Sequence, residues 1–154
     1  LKKSTMKNLI LFAAVILCLS SSVKASNPSE VNEKVLHTFQ QIFKNAQDVT
    51  WKSSEKMNEA SFVQGAIRTK AIINNKGDLV QTIRYYKEEN LPTNILYSVK
   101  KAYSDMEVWG VTEVSKDSGV HYFITLKNDK YWYNIYADQN GDISLRSKLI
   151  NGDE

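Results

Sequence analysis

The sequence offers only two side chains, His37 and His121, that could act as general bases near neutral pH. His37 lies among residues with helical apolar spacing, and His121 lies within a run of strand character. No HExxH motif, phosphate-binding loop or GxSxG elbow occurs in the chain. The acidic pair Glu88-Glu89 lies in a connecting segment, where it is typical of a solvated charge pair. The sequence therefore predicts a non-enzymatic protein without catalytic residues.

The segment Asp138-Gln139-Asn140-Gly141-Asp142 offers oxygen ligands from Asp138, Asn140 and Asp142 at alternate positions, as calcium loops do. An EF-hand places glycine at its sixth position and glutamate at its twelfth, a pattern that this segment does not follow. Tight hairpins also select Asp, Asn and Gly for their backbone angles. A structural turn is the favoured interpretation. Calcium binding is kept as the alternative, and no other cofactor is predicted.

The amino-terminal segment has the pattern of an export signal. Three lysines precede an uninterrupted apolar run over residues 9–19, and the small residues Val23 and Ala25 follow at the two positions that an export peptidase recognises. A bilayer-spanning helix needs about 20 apolar residues, so the run is too short to cross a membrane. We expect residues 1–25 to be a signal peptide cleaved before Ser26, which predicts a periplasmic or secreted protein without a membrane span.

Removal of this segment changes the charge and the cysteine content. It holds four of the 20 basic residues and none of the 17 acidic ones, so 16 basic residues remain and the net charge falls from +3 to about −1. A nucleic-acid partner is not expected, because binding to phosphates needs clustered excess positive charge. Cys18 is the only cysteine and lies in the removed segment, so the mature domain should contain neither a disulfide nor a thiol site.

The first half of the mature chain predicts a helix followed by three strand segments. Asn27 can cap the helix, with Pro28 at its first position and Glu30 three residues after the cap, and the helix should end near Asn45. The apolar stripe of this helix comprises Val31, Val35, Phe39, Ile42 and Phe43. The strand segments are residues 49–52, 60–73 and 79–86. Gly77 lies in the turn before the last of them, where a positive φ is expected.

The second half repeats this pattern from Leu91-Pro92, with the apolar stripe of its helix displaced by 60 residues. The stripe now comprises Ile95, Val99, Ala102 and Tyr103, of which Ile95, Val99 and Tyr103 correspond to Val35, Phe39 and Phe43. Strand segments follow at residues 108–114, 120–126, 131–137 and 143–148. The pattern predicts one α+β domain over residues 26–154, made of two repeats over residues 27–86 and 91–148.

Six short strings in this layout resemble the secreted PepSY-like domains of Bacteroidetes, whose fold is similar to that of β-lactamase inhibitory protein. The strings are NAQDVTW, EASF, NNKGDLVQT, LP, VKKAYSD and YADQNGD, and they occur in this order between residues 45 and 142. The resemblance implies one antiparallel sheet with two helices on one face and an open, concave second face. In the inhibitory protein the open face receives the target enzyme.

Strand alternation sorts the residues onto these two faces independently of the resemblance. In the segment 131–137 it places Tyr133, Ile135 and Ala137 on the core face. The opposite face of the sheet is predicted to carry Trp132, Tyr136, Phe123, His121, Arg68 and Lys70. Exposed aromatic and arginine side chains are typical of binding hot spots. An ordinary strand surface is the alternative, because aromatic residues are favoured in sheets and a slip of one residue would exchange the two faces.

These observations predict an exported, non-enzymatic binding module that recognises an envelope or extracellular protein or peptide through the open face. The resemblance implies inhibition or regulation of an envelope enzyme. The alternative hypothesis is a calcium- or small-ligand-responsive periplasmic protein.

Overall fold

A computed structural model describes residues 31–152 of the chain. The predicted signal peptide, Cys18 and the Asn27 cap lie outside the described residues. Within residues 31–152, no helix combines the length and apolar character needed to cross a membrane.

Two α-helices and eight strands make up the fold. Each strand pairs antiparallel with the next one along the chain, so that the sheet has the order β1 to β8. The strands β1 and β8 form the two edges, and the sheet is therefore open. The elements are α1 (Glu33–Ile42), β1 (Gln47–Ser53), β2 (Met57–Gln64), β3 (Ile67–Asn74), β4 (Leu79–Tyr86), a short 3-10 helix (Glu88–Asn90), α2 (Thr93–Ala102), β5 (Glu107–Lys116), β6 (Gly119–Lys127), β7 (Tyr131–Asp138) and β8 (Ile143–Ile150).

Helix α1 begins later and ends earlier than predicted. Its N-cap is Asn32, whose side-chain oxygen accepts a hydrogen bond from the Lys34 N–H at 2.9 Å. At the other end the Phe43 N–H donates to the Phe39 carbonyl at 2.8 Å as the backbone leaves the helix. The C-cap thus lies two residues before the predicted end near Asn45, which is the scatter expected of helix boundaries.

The prediction of one strand segment over residues 60–73 is also wrong, because the chain reverses at Gly65. Gln64 pairs with Ile67, and Gly65 has a φ of +62° in the turn between β2 and β3. A single glycine without a neighbouring Asn, Asp or Pro is a weak turn signal, and apolar residues continue on both sides of it. Each half of the chain therefore contains one helix and four strands.

Each helix packs its apolar stripe mainly on strands of its own half, and the core under α2 also takes in Tyr86 of β4. Val35 and Phe39 of α1 cover one group of buried residues, and Ile95 and Val99 of α2 cover another. The strand residues buried under α1 are Trp51, Ala60, Phe62, Ala71 and Ile73. Those buried under α2 include Val108, Val111, Tyr122, Ile124, Leu126, Ile135 and Ala137. Both groups lie on the same face of the sheet, so the predicted fold class is confirmed: an α+β fold with two helices on one face of an open sheet.

The short helix between the halves is fixed to α2 by an ion pair. Glu88 binds the Lys100 ammonium, with 2.8 Å between Oε2 and Nζ. We predicted Glu88 as part of a solvated charge pair, and the structure corrects this because the first turn of the connection brings it beside the last turn of α2.

Candidate binding surface on the open sheet face

The face of the sheet opposite the two helices, called here the open face, carries all six residues predicted for it. In β6 the buried residues Tyr122 and Ile124 alternate with His121 and Phe123, which therefore point away from the helices. The open-face side chains of β7 are Trp132, Asn134 and Tyr136, which alternate with Ile135 and Ala137 of the core. The register of β2 with β3 places Arg68 and Lys70 on the same face. The predicted assignment of faces is confirmed, and the role of these residues in binding stays a prediction.

Three of the six predicted residues contact one another. His121 Nδ1 lies 2.8 Å from the Tyr136 hydroxyl, and the two rings stack with 5.9 Å between their centroids. Phe123 packs edge-on against Tyr136 at 5.8 Å between ring centroids. The Arg146 guanidinium of β8 lies 4.8 Å from the centroid of the same tyrosine ring. We call His121, Phe123, Tyr136 and Arg146 the tyrosine cluster. It lines a shallow depression of about 700 Å³ together with Val114 and Lys116.

Trp132 belongs to a second group further along β7. Its ring meets the Trp109 ring edge-to-face at 5.5 Å between centroids. The Lys127 ammonium lies 3.9 Å from the centroid of the Trp109 ring and 5.8 Å from that of Trp132. The Lys87 ammonium lies 4.5 Å from the Trp109 ring centroid and donates to the Trp109 carbonyl. We call Lys87, Trp109, Lys127 and Trp132 the tryptophan cluster.

The sequence did not predict Trp109 as a surface residue, because a β-bulge interrupts the alternation in β5. Val108 pairs with Leu126 and Gly110 with Thr125, which leaves Trp109 as the extra residue between them. Val108 is buried and Trp109 is on the open face. Gly110 after Trp109 was the available signal, since glycine within a strand often marks a bulge.

A polar row separates the two clusters. The Thr125 hydroxyl donates to Asn134 Oδ1 at 3.1 Å, and Asn134 Nδ2 donates to the Ser147 hydroxyl at 2.9 Å. These side chains form hydrogen bonds with one another across β6, β7 and β8. The row therefore forms a neutral floor between two aromatic and cationic groups.

Arg68 and Lys70 lie apart from both clusters. They are on β3, three strands from β6, which corresponds to about 14 Å across the sheet. The Arg68 guanidinium lies 6.0 Å from the Tyr85 ring centroid, and Lys70 forms an ion pair with Glu59 at 2.9 Å. The hydrogen bond to Glu59 raises the pKa of Lys70 above its ordinary value, although desolvation opposes it. A depression of about 400 Å³ lies beside these two residues. The predicted single patch is thus divided into separate areas of the same face.

The two histidines are far from forming a catalytic pair. His37 is an exposed residue of α1, on the opposite side of the sheet from His121. The His121 imidazole contacts the Tyr136 hydroxyl and stacks on the Tyr136 ring. The arrangement contributes to the shape of the open face.

The segment from Asp138 to Asp142 forms a hairpin turn in which the Asp138 carboxylate binds the backbone. Asp138 Oδ1 accepts hydrogen bonds from the N–H groups of Asn140 at 2.8 Å and Asp142 at 3.1 Å. Asn74 does the same in the turn between β3 and β4, where its Oδ1 accepts from Lys76 and Asp78 at 2.9 and 3.0 Å. In residues 31–152 no group of three or more His, Cys, Asp or Glu side chains is placed to hold a metal ion. The hydrogen bonds are those of a structural turn, and the calcium site at Asp138, Asn140 and Asp142 stays a prediction.

Comparison with solved structures gives the relatives of this fold. A BLIP-like protein from Bacteroides fragilis superposes with a TM-score of 0.61 and 14% identity, over 80% of this chain and 90% of that one. This chain has a BLIP-like fold. A DUF2874 family protein from Bacteroides ovatus gives a TM-score of 0.58 with 19% identity, over 80% and 89% of the two chains. Another from Bacteroides uniformis gives 0.58 with 17% identity, over 78% and 89%. No protein-family model matches the sequence, and no curated protein is significantly similar to it.

The resemblance predicted from the sequence strings is confirmed as a likeness of fold to BLIP-like proteins of Bacteroides. The PepSY label stays a prediction. The open face described above is the face that this BLIP-like fold leaves without helices.

Proposed function

We propose that this protein is an exported binding module that recognises a protein or peptide through its open face. The observation that carries the proposal is the pair of aromatic and cationic clusters on the sheet face opposite α1 and α2. Trp109 and Phe123 expose 44% and 48% of their surface there. Tryptophan, tyrosine and arginine are the residues that contribute most to the binding energy of protein interfaces.

The mutual contacts within each cluster support a binding role, because they hold the rings before a partner arrives. Trp132 is oriented by the Trp109 ring and by a hydrogen bond from its Nε1 to Asn151 Oδ1 at 3.0 Å. Tyr136 is held between His121 and Phe123. A side chain that is already ordered loses less conformational entropy on binding, which raises affinity for the same contact area.

The proposed location is the periplasm or the exterior of the cell, supported by the predicted signal peptide. Inhibition or regulation of an envelope enzyme is the proposed consequence of binding. It is supported by the BLIP-like fold, although proteins of one fold often serve unrelated functions. The proposed role is binding without catalysis.

The test compares partner capture by the wild-type protein and by the variant Trp132→Ala/Tyr136→Ala. Each protein is immobilised, exposed to an envelope fraction of the source organism, and the bound proteins are identified by mass spectrometry. We expect the double variant to lose a specifically captured protein by at least about tenfold, since two hot-spot residues are removed.

The matched control is Tyr97→Ala, which removes an exposed aromatic side chain from α2 on the other side of the sheet. This variant should capture the partner as the wild type does. Thermal melting verifies that all variants are folded. Equal capture by the double variant would show that the binding site lies elsewhere.

A further inference from the structure

The cations of the two clusters, together with Arg68, lie over aromatic rings and have no acidic partner among the described residues. Residues 31–152 contain three ion pairs: Lys70 with Glu59, Arg84 with Glu113 and Lys100 with Glu88. The cations of the two clusters, and Arg68 beside Tyr85, take part in none of them. A cation above a ring keeps N–H donors that point away from the protein, so it can still bind an anion.

The acidic residues of this face lie at its margins or are engaged. Glu107 is the register partner of Lys127, but the Lys127 ammonium lies over Trp109 and forms no ion pair with it. The Asp138 carboxylate binds backbone N–H groups of its own turn. Glu59 is paired with Lys70, and Asp48 lies on the edge strand β1. Among residues 31–152, Lys87, Lys127 and Arg146 of the two clusters therefore have no ion-pair partner, although the mature chain has a net charge of about −1.

The two clusters have a fixed spacing. Trp132 and Tyr136 are four residues apart on β7, which corresponds to about 13 Å along the strand. Lys127 lies over the Trp109 and Trp132 rings, and Arg146 lies over Tyr136. The neutral row of Thr125, Asn134 and Ser147 lies between them and needs no charged partner.

We propose that the open face binds an extended acidic segment of a protein, with two carboxylates about four residues apart. One carboxylate binds the Lys127 ammonium and the other the Arg146 guanidinium, which can engage it through two parallel hydrogen bonds. The residues between them cross the neutral row, and their side chains contact the aromatic rings. This inference rests on the proposed function and specifies the chemistry of the partner.

Charge also favours a peptide over a nucleic acid. A nucleic acid is attracted by an extended excess of positive charge, which a mature chain of net charge about −1 lacks. Two isolated cationic positions match two separate carboxylates.

The test is selection from a library of random peptides about twelve residues long, so that an extended peptide spans both clusters. The full chain is expressed with its leader and purified after export. The same library is selected in parallel against the wild type, against Lys127→Glu/Arg146→Glu and against Trp132→Ala/Tyr136→Ala. We expect the wild type to enrich peptides with two acidic residues about four positions apart. The charge-reversed variant should bind these peptides at least about tenfold more weakly and enrich basic peptides instead.

The outcomes separate this inference from the proposed function. Enrichment of neutral or basic peptides by the wild type would contradict the proposed acidic partner but would still agree with a peptide-binding role for the open face. Equal selection by the wild type and Trp132→Ala/Tyr136→Ala would contradict both. A single-stranded DNA oligonucleotide that binds the wild type more tightly than the best acidic peptide would also overturn the inference. In the best acidic peptide, replacement of either acidic residue by its amide, Glu by Gln or Asp by Asn, should weaken binding to the wild type about tenfold.

Discussion

Tyr86 of β4 donates its phenolic hydrogen to Glu113 Oε2 of β5, with 2.6 Å between the two oxygens. Arg84 Nη1 donates to the same carboxylate at 3.0 and 3.3 Å. Glu113 is only 7% exposed and lies on the helix-covered face. Because β4 ends the first half and β5 begins the second, this hydrogen-bonded group joins the two halves, and Tyr86 packs in the core under α2.

The substitution Tyr86→Phe should destabilise the protein by about 1–2 kcal/mol near neutral pH, because it leaves a buried carboxylate oxygen without its donor. Burial raises the pKa of Tyr86 well above its ordinary 10.0, and the hydrogen bond to Glu113 raises it further. The stabilisation is therefore complete below pH 10 and is lost as the pH rises above it, since only the unfolded state ionises there.

Urea unfolding at about pH 8 and about pH 11 measures this effect. The difference in stability between wild type and Tyr86→Phe should shrink at the higher pH. Tyr97→Phe, at a residue that is 65% exposed, serves as control and should match the wild type at both. An equal Tyr86→Phe difference at both pH values would contradict the assignment.

The core under α2 should be sensitive to truncation. Ile124→Ala truncates a side chain that is 1% exposed and packed in the core under α2. This should lower the free energy of unfolding by about 2–5 kcal/mol. Ile150→Ala removes the same group from a residue that is 82% exposed and should cost less than about 0.5 kcal/mol. Chemical denaturation of both variants checks this, and similar losses would contradict the described packing.

Gly141→Ala should destabilise the protein by more than about 1 kcal/mol. Gly141 has a φ of +94°, and an added Cβ would lie 3.2 Å from Ser98 Oγ and 3.4 Å from the Asn94 carbonyl oxygen of α2. Gly110→Ala is the control, because its Cβ would meet nothing within 4 Å and its φ is not positive. Thermal melting compares the two, and a larger loss for Gly110→Ala would contradict the close approach of the turn to α2.

The Asp138 turn should lose stability in acid. Desolvation raises the pKa of Asp138, but hydrogen bonds from Asp142, Asn140 and Gly141 lower it by more. Together they hold this pKa below its ordinary 3.8. The ionised carboxylate therefore stabilises the fold above pH 3.8, and this contribution is lost as the pH falls below that value. Asp138→Asn should keep the turn, as Asn74 does in the first half, and remove this part of the acid dependence.

Melting temperatures between about pH 3 and pH 6 measure this acid dependence of stability. Asp138→Ala is the variant that loses the hydrogen-bond acceptor at every pH. A wild type and an Asp138→Asn variant with identical acid profiles would show that the carboxylate contributes nothing through its ionisation.

Calcium should leave the melting temperature unchanged. A ligand that binds only the folded state raises its stability, but the Asp138 oxygen in the turn already accepts two backbone hydrogen bonds. Melting with calcium and with a chelator tests this. A rise with calcium that Asp142→Asn abolishes would instead support the calcium hypothesis.

Much of the fold was predictable because it depends on local patterns. The helix stripes at an offset of 60 are buried at Val35 and Ile95, both at 0% exposure, whereas the stripe residues Ile42 and Ala102 are exposed, contrary to the prediction. Gly77 has the expected positive φ, at +94°. Alternation placed Trp132 and Phe123 on the open face. The errors lie where local signals were weak or interrupted, at the Gly65 turn and at the Trp109 bulge.

The composition of the binding surface was less predictable, because it depends on residues that meet only when strands pair. Trp109 reaches Trp132 across β6 by means of a bulge that the alternating pattern does not show. Arg146 reaches Tyr136 because the register of β7 with β8 also shifts, between Asn134 and Ile135. Gly110 was the only sequence signal for the first relationship, and the second had none.

The sequence by itself determined the helices, most of the strands and the face to which the residues of the regular strand segments belong, but not the faces of bulge residues such as Trp109. These follow from side-chain periodicity, which each segment carries on its own. Only the tertiary structure decided which open-face residues form clusters and which, like Arg68 and Lys70, stand apart. The physical reason is that strand register and bulges set cross-strand distances, and hydrogen bonding between distant segments determines both.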